Sequence, residues 1–293
     1  MSAYSQQSNN VQKTWILIFV FIGLVSGMFY VIGRYQGSWL WPVLGLVISL
    51  SQALIAYFAG DKIALAANGA KEVEYNDAPK IFEIVQNLSK IAGIPTPKIY
   101  ISPDQSANAF ACGRDPEHAS ICLNQGILDL LDKNELEGVI AHELSHIKNR
   151  DILVMTVTMV LSSVVSFVAD IGFRIMFWGG DRKNKENQNP ILLVLYIATI
   201  ILAPIVSALI QFAISRQREF LADATGVTLT RYPEGLISAL EKLYQSPVPS
   251  SHYSTATDHF FIAPPKKSFG QKTANLFSTH PSIEDRVQAL KNM

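Results

Sequence analysis

The sequence predicts an α+β protein: a compact domain with a small sheet and one helix whose apolar residues allow it to be buried there, attached to about four membrane helices. Three observations carry this. Four long runs contain no charged residue; short β-type strings alternate with turn residues between positions 95 and 123; and Leu136 to Asn149 sets two histidines four apart in an apolar helical pattern.

The first uncharged run is Trp15 to Gly33, 19 residues closed by Lys13 and Arg34, and the second is Trp39 to Ala59. Each is long enough to cross about 30 Å of hydrocarbon, and the terminal aromatics suit an interface belt. No small-x-small site follows the first run, so it reads as an anchor and not a cleaved signal. Ile152 to Ala169 and Pro190 to Ser215 are further uncharged runs, giving an expected total of four crossings. This divides the chain into a membrane hairpin (1–60), a first soluble part (61–151), a second hairpin (152–215) and a second soluble part (216–293). Lys13, Lys62, Lys71, Lys148, Arg150, Arg216 and Arg218 would then share a side, against Arg34, Arg174, Arg182, Lys183 and Lys185. That bias favours soluble parts on the cytoplasmic side. The membrane runs lack the ionisable groups that transporters and pumps need at depth.

Twenty-four basic and 24 acidic residues leave no net charge, hence no global pull toward nucleic acid, and none is expected as a partner. Cys112 and Cys122 make no disulfide framework and read as reduced thiols.

In the first soluble part, Asp77-Ala78-Pro79 reads as a helix start with Asp77 as cap; Ile81, Ile84, Val85, Leu88 and Ile91 follow at helical spacing to Ala92-Gly93. Lys98–Ile101, Asn108–Cys112 and Ala119–Leu123 read as strands, the last two as a hairpin bringing the cysteines near one another. An exposed edge at Asn108, Ala109, Phe110 and Ala111 can pair with an extended peptide backbone; equally, it can be an ordinary structural strand.

Asp132 or Asn134 caps the next helix, which carries His142-Glu143-Leu144-Ser145-His146. Positions i and i+4 share a face, so both imidazoles meet at one locus where they can grip a Zn2+ and leave room for a third ligand and a water. Glu143 lies where a general base is needed. After the fourth run, Glu219 and Asp223 again share a helix face. A carboxylate is the expected third ligand, so Glu219 is preferred over Glu241, His252, His259 and His280; Asp223 can accept from a liganding imidazole. His280 either stabilises an oxyanion or is a turn residue before a last helix opened by Ser282 and Asp285.

Taken together, these segments resemble HtpX-type membrane metalloproteases, a family related to the CAAX prenyl proteases. The likeness rests on Asn108-Ala109-Phe110-Ala111, Gly113-Arg114 with Pro116, Ala141-His142-Glu143-Leu144-Ser145-His146 with Asn149-Arg150-Asp151, and Arg218-Glu219-Phe220-Leu221-Ala222-Asp223. It extends through His259-Phe260-Phe261-Ile262 and Phe277-Ser278-Thr279-His280-Pro281. Cys112 and Ser282 depart from the pattern, away from the metal chemistry. The resemblance implies a zincin-like fold, one Zn2+ held by His142, His146 and Glu219, catalysis by Glu143, and roles for His280 and Asp223. It further implies an inner (plasma) membrane protein, multi-pass, facing the cytoplasm, that cleaves misfolded membrane proteins. A prenyl-CAAX-type protease and an inactive zinc-bound scaffold are the alternatives.

Overall fold

A computed structural model describes residues 3–163, 216–246, 262 and 281–293. The expected run Pro190–Ser215, the third run beyond Ser163, and His252, His259 and His280 lie outside the described residues.

Helices α1 (Ala3–Gln36) and α2 (Leu40–Ala67) form an antiparallel hairpin. Gly37, in the left-handed region (φ 65°), turns the chain between them. Their register shows in Trp15 stacked on Tyr57, Ser26 bonded to Ser49 at 3.2 Å, and Phe29 beside Trp41. Phe19, Val43, Leu54 and Phe58 stay exposed on the outer faces. Both helices are long and apolar enough to cross a membrane. Helix α2 continues seven residues past position 60, because its last turns are seated on protein: Gly60 abuts Thr156.

The sheet contains β1 (Lys71–Glu72), β2 (Lys98–Ser102), β3 (Ala109–Gly113) and β4 (Ala119–Asn124), ordered β1-β2-β4-β3. β2 and β4 are parallel, the other pairs antiparallel. Alternation gives the sheet two buried faces. Ile99, Ala109, Ala111, Ile121 and Leu123 join the core of the soluble helices, while Phe110, Cys112 and Cys122 join the core shared with α1 and α2. The sheet is therefore the layer between the core of the soluble helices and the core shared with the α1–α2 hairpin. Cys112 and Cys122 lie on one face two register positions out of line, buried and free.

Helix α3 (Pro79–Ala92) covers the first face and stops at Gly93. Its cap is Ala78, not Asp77, whose carboxylate instead accepts the Glu74 N–H at 3.0 Å and closes the preceding turn. Ile91, expected in the buried stripe, is 62% exposed. The short α4 (Gln125–Leu130) leads into α5 (Lys133–Lys148). Asp132 caps α5: its carboxylate accepts from the N–H groups of Asn134 and Glu135, and the Glu135 side chain returns a bond to the Asp132 N–H. Helix α5 is buried on every side, with Val139, Ile140, Leu144 and Ile147 wholly enclosed. Each such side chain contributes roughly 1.5–3 kcal/mol. Arg150, left-handed at φ 57°, turns the chain into α6 (Asp151–Ser163). Helices α7 (Arg216–Thr230), α8 (Pro233–Gln245) and α9 (Ile283–Lys291) complete the soluble half around α5.

Candidate active site

One turn of α5 separates His142 from His146, and their rings point to a common locus with Nε2 atoms 3.1 Å apart. Helix α7 brings Glu219 to the same locus, 3.8 Å from each Nε2. Gly226 makes this approach possible: a Cβ there would stand 3.1 Å from the His142 backbone nitrogen. Gly226 lies seven residues after Glu219 and three after Asp223, so the glycine that lets the backbones close in is on the acidic face.

The three groups were tested as a metal cage. Tetrahedral bonds of about 2.05 Å set ligand atoms roughly 3.3–3.4 Å apart. The Nε2–Nε2 separation of 3.1 Å is close to that value. Glu219 presents Oε2 to His142 and Oε1 to His146, each at 3.8 Å, and one ligand atom from each of the three residues lies within 4.8 Å of the others, so His142, His146 and Glu219 could hold a metal ion once their side chains draw together. Charge agrees. Glu143, Asp151, Glu219 and Asp223 are buried carboxylates, and Arg218 and Arg286 are the buried guanidiniums beside them. The formal excess of two negative charges is that of one divalent cation. Such burial without compensation would be very costly.

Each imidazole is oriented from behind. His142 Nδ1 is 2.8 Å from Asp223 Oδ1, and His146 Nδ1 is 3.0 Å from Asp151 Oδ2. With Nδ1 donating to a carboxylate, Nε2 keeps its lone pair for the metal. Burial pushes the Asp223 carboxyl up, but Arg286 and His142 outweigh it and hold the group at about 2. Burial pulls His146 down, while Asp151 and Glu219 more than reverse this and lift it to about 9. Without a cation the acids thus keep a proton on His146, which a metal must displace. Glu143 is buried beside both histidines; burial raises its pKa against their pull. A carboxylate so raised exchanges protons more readily near neutral pH.

All five residues of the candidate substrate strand β3 are buried, and only part of its backbone lacks a hydrogen-bond partner among the described residues. The Asn124 N–H donates to the Asn108 C=O, so residues 108, 110 and 112 face β4 and residues 109, 111 and 113 face outward. The Ala109 N–H is taken by Asn108 Oδ1 and the Gly113 N–H by Thr156 Oγ1. At Ala111 the outward N–H and C=O have no partner among the described residues. Asn108 Oδ1 also accepts the Ile262 N–H at 3.1 Å, and Phe110 turns to the membrane-side core. What the strand leaves unpaired among the described residues is thus the buried Ala111 backbone, not these side chains.

Sequence reading gave no role to Arg286, Asp151, Arg218 or Asn10. Arg286 is 1% exposed and grips Asp223 with Nε at 2.8 Å and Nη2 at 2.6 Å, while Nη1 donates to the Ile262 C=O. A signal existed: Ile283, Arg286, Val287 and Leu290 form the buried stripe of α9, so an arginine occupies a core position. Asp151 carried a weaker signal, as an acid at the threshold of an apolar run.

The family model described as "Peptidase family M48" matches residues 76–293. Similar curated proteins span the whole chain. The protease HtpX homolog of Tropheryma whipplei (strain Twist) is 40% identical over 291 residues, covering 99% of this chain and 98% of its own. That of Caldanaerobacter subterraneus subsp. tengcongensis is 42% identical over 298 residues, covering 99% and 97%. The crystal structure of S. mikatae Ste24p is similar in fold, with a TM-score of 0.52 at 18% identity, covering 98% of this chain and 67% of that one.

Proposed function

The chain belongs to peptidase family M48 and is a membrane metallopeptidase, and from that premise we propose that it is a zinc-dependent endopeptidase of the inner membrane. Its site is proposed to face the cytoplasm and to act on misfolded membrane proteins. The observation that carries the reading is the meeting of His142, His146 and Glu219 within 3.1–3.8 Å, with a carboxylate behind each imidazole. We assign the metal to those three residues, and the orienting of His142 to Asp223. The zincin-like arrangement and four crossings remain part of the proposal, with 1–60 and 152–215 as membrane hairpins and 61–151 with 216–293 as the catalytic domain. Basic residues near the ends of the apolar runs support the orientation.

When bound, zinc supplies Lewis acidity toward the scissile carbonyl and acidifies a water molecule. Glu143, 3% exposed, is the residue that would accept a proton from the attacking water, hold it away from solvent and deliver it to the leaving amine. The β3 edge at Ala111, with the C=O of Ala109, pairs with the extended substrate backbone, and Asn108 with Phe110 fixes the strand from behind. His280 is assigned to the oxyanion, on the resemblance of its segment to the family.

The test compares wild type with Glu143→Gln, purified in detergent, stripped of metal and reloaded with zinc, on an unfolded reporter protein. Wild type should cleave only with zinc, and the variant should bind zinc equally but turn over roughly 10²–10⁴-fold more slowly. Equal turnover removes Glu143 from its role. Stoichiometric zinc without cleavage by wild type turns the reading into a zinc-bound scaffold.

A further inference from the structure

We infer that Asn10, in the first turns of the anchor helix α1, is a positioning residue for the metal site, acting through Asp151 on His146; the inference rests on the metal site proposed above. Asn10 is 2% exposed although it precedes the uncharged run at Trp15 by only five residues. Its Nδ2 donates to Asp151 Oδ1 at 2.6 Å and to the Asn149 C=O at 3.0 Å. The second bond fixes the chain between α5 and α6, and the first fixes the carboxylate whose other oxygen meets His146 Nδ1.

The two histidines show why Asn10 is needed. Asp223, behind His142, is held on both oxygens by the two arms of Arg286. Asp151, behind His146, is met by one arm of its arginine, Nε of Arg218 at 3.1 Å, and both Nη atoms of Arg218 are buried with no hydrogen-bond partner among the described residues. One donor leaves a carboxylate free to swing about its contact; a second fixes its plane. Asn10 supplies that second donor from 141 residues away in sequence. Five residues of helix rise about 7.5 Å, so the contact between Asn10 and Asp151 stands within two turns of the start of the first apolar run. Asp151 opens the third apolar run, and Arg218 follows the fourth by three residues. The ends of three apolar segments thus meet at one carboxylate, and the anchor is part of the machinery that aims a ligand.

The test uses full-length protein in detergent and measures zinc affinity by competition with a chelator, the melting temperature of the metal-free protein, and kcat and KM separately. Asn10→Leu and Asn10→Asp remove the donor at similar size, Asn10→Gln keeps an amide, and Ser49→Ala loosens the α1–α2 hairpin without touching Asp151. Asn10→Leu and Asn10→Asp should weaken zinc roughly tenfold and lower kcat with little change in KM. Asn10→Gln should recover part of the affinity, and Ser49→Ala should bind zinc as wild type does. Zinc affinity within twofold of wild type in Asn10→Leu, whatever its melting temperature, overturns the inference, as does an equal loss in Ser49→Ala. Wild type that binds no zinc overturns the metal site itself and this inference with it.

Discussion

The two histidines of one helix turn are served by two differently built supports. Behind His142, Asp223 of α7 and Arg286 of α9 form a closed bidentate pair drawn wholly from the soluble half. Behind His146, Asp151 is held by one arm of Arg218 and by Asn10 of the anchor helix. The chemistry asked of both is the same: accept Nδ1–H and leave Nε2 for a cation. The difference lies in what must be assembled first. The first support needs only soluble helices to pack, whereas the second needs the ends of the apolar runs brought together. On the inference drawn from Asn10, readiness of the site would depend on the anchor helix packing correctly against the start of α6.

The largest test of this difference removes each guanidinium in turn. Arg286→Met leaves Asp223 buried with no cation and should cost about 3–5 kcal/mol, read as a large fall in the melting temperature in detergent. Arg218→Met leaves Asp151 with Asn10 and His146, and should cost about 1–3 kcal/mol. Equal losses would mean that the two supports are not distinct.

A smaller effect sharpens the picture of how the supports reach the same locus. Gly226→Ala puts a methyl group 3.1 Å from the His142 backbone nitrogen, so α7 must retreat by a few tenths of an ångström. Alanine gains about 1 kcal/mol of helix propensity over glycine, which offsets the strain. We expect near-wild-type melting of metal-free protein but several-fold weaker zinc, measured by chelator competition, since Glu219 and Asp223 move together on α7. Unchanged zinc affinity would mean that the face of α7 tolerates displacement, and that Gly226 serves packing alone.

What could be read from the sequence follows the range of the interactions. The pairs His142 with His146 and Glu219 with Asp223 are four residues apart, so helical geometry alone sets each on one face. The strands and the β3–β4 hairpin were legible for the same reason, through turns and alternation. Arg286 was half legible, as a charge within the apolar stripe of α9. Asn10 was not, because nothing local distinguishes a buried asparagine from a solvated one at the start of an anchor; its partner lies 141 residues on. The all-round burial of α5 escaped for a related reason. Its glycine, acid and histidines weaken the amphipathic pattern, and tertiary packing of the sheet, α7 and α8 encloses it regardless. Ile91 shows the converse, an apolar residue at good helical spacing left exposed, with no described element covering it.

The smallest expected effect concerns a third cation–carboxylate pair, at the opposite end of α5 from the metal. Glu135 accepts from Lys242 Nζ at 2.7 Å and from Ser238 Oγ at 2.6 Å, joining α5 to α8. Burial raises its pKa, but these bonds and that from the Asp132 N–H prevail and hold it below the ordinary 4.5. A carboxylate depressed on folding contributes its full stability above the unfolded value and loses it as pH falls through the folded one. Lys242 is partly exposed, so the pair is worth only about 1 kcal/mol. The gap in melting temperature between wild type and Glu135→Gln should therefore be widest at neutral pH and shrink as pH drops below about 4.5. A gap that stays constant down to pH 3 would show that Glu135 acts through its shape and its helix-capping bond, both of which glutamine preserves, and not through its charge. Because this pair touches neither histidine support, zinc affinity of Glu135→Gln should match wild type, which separates the anchoring of α5 from the aiming of its ligands.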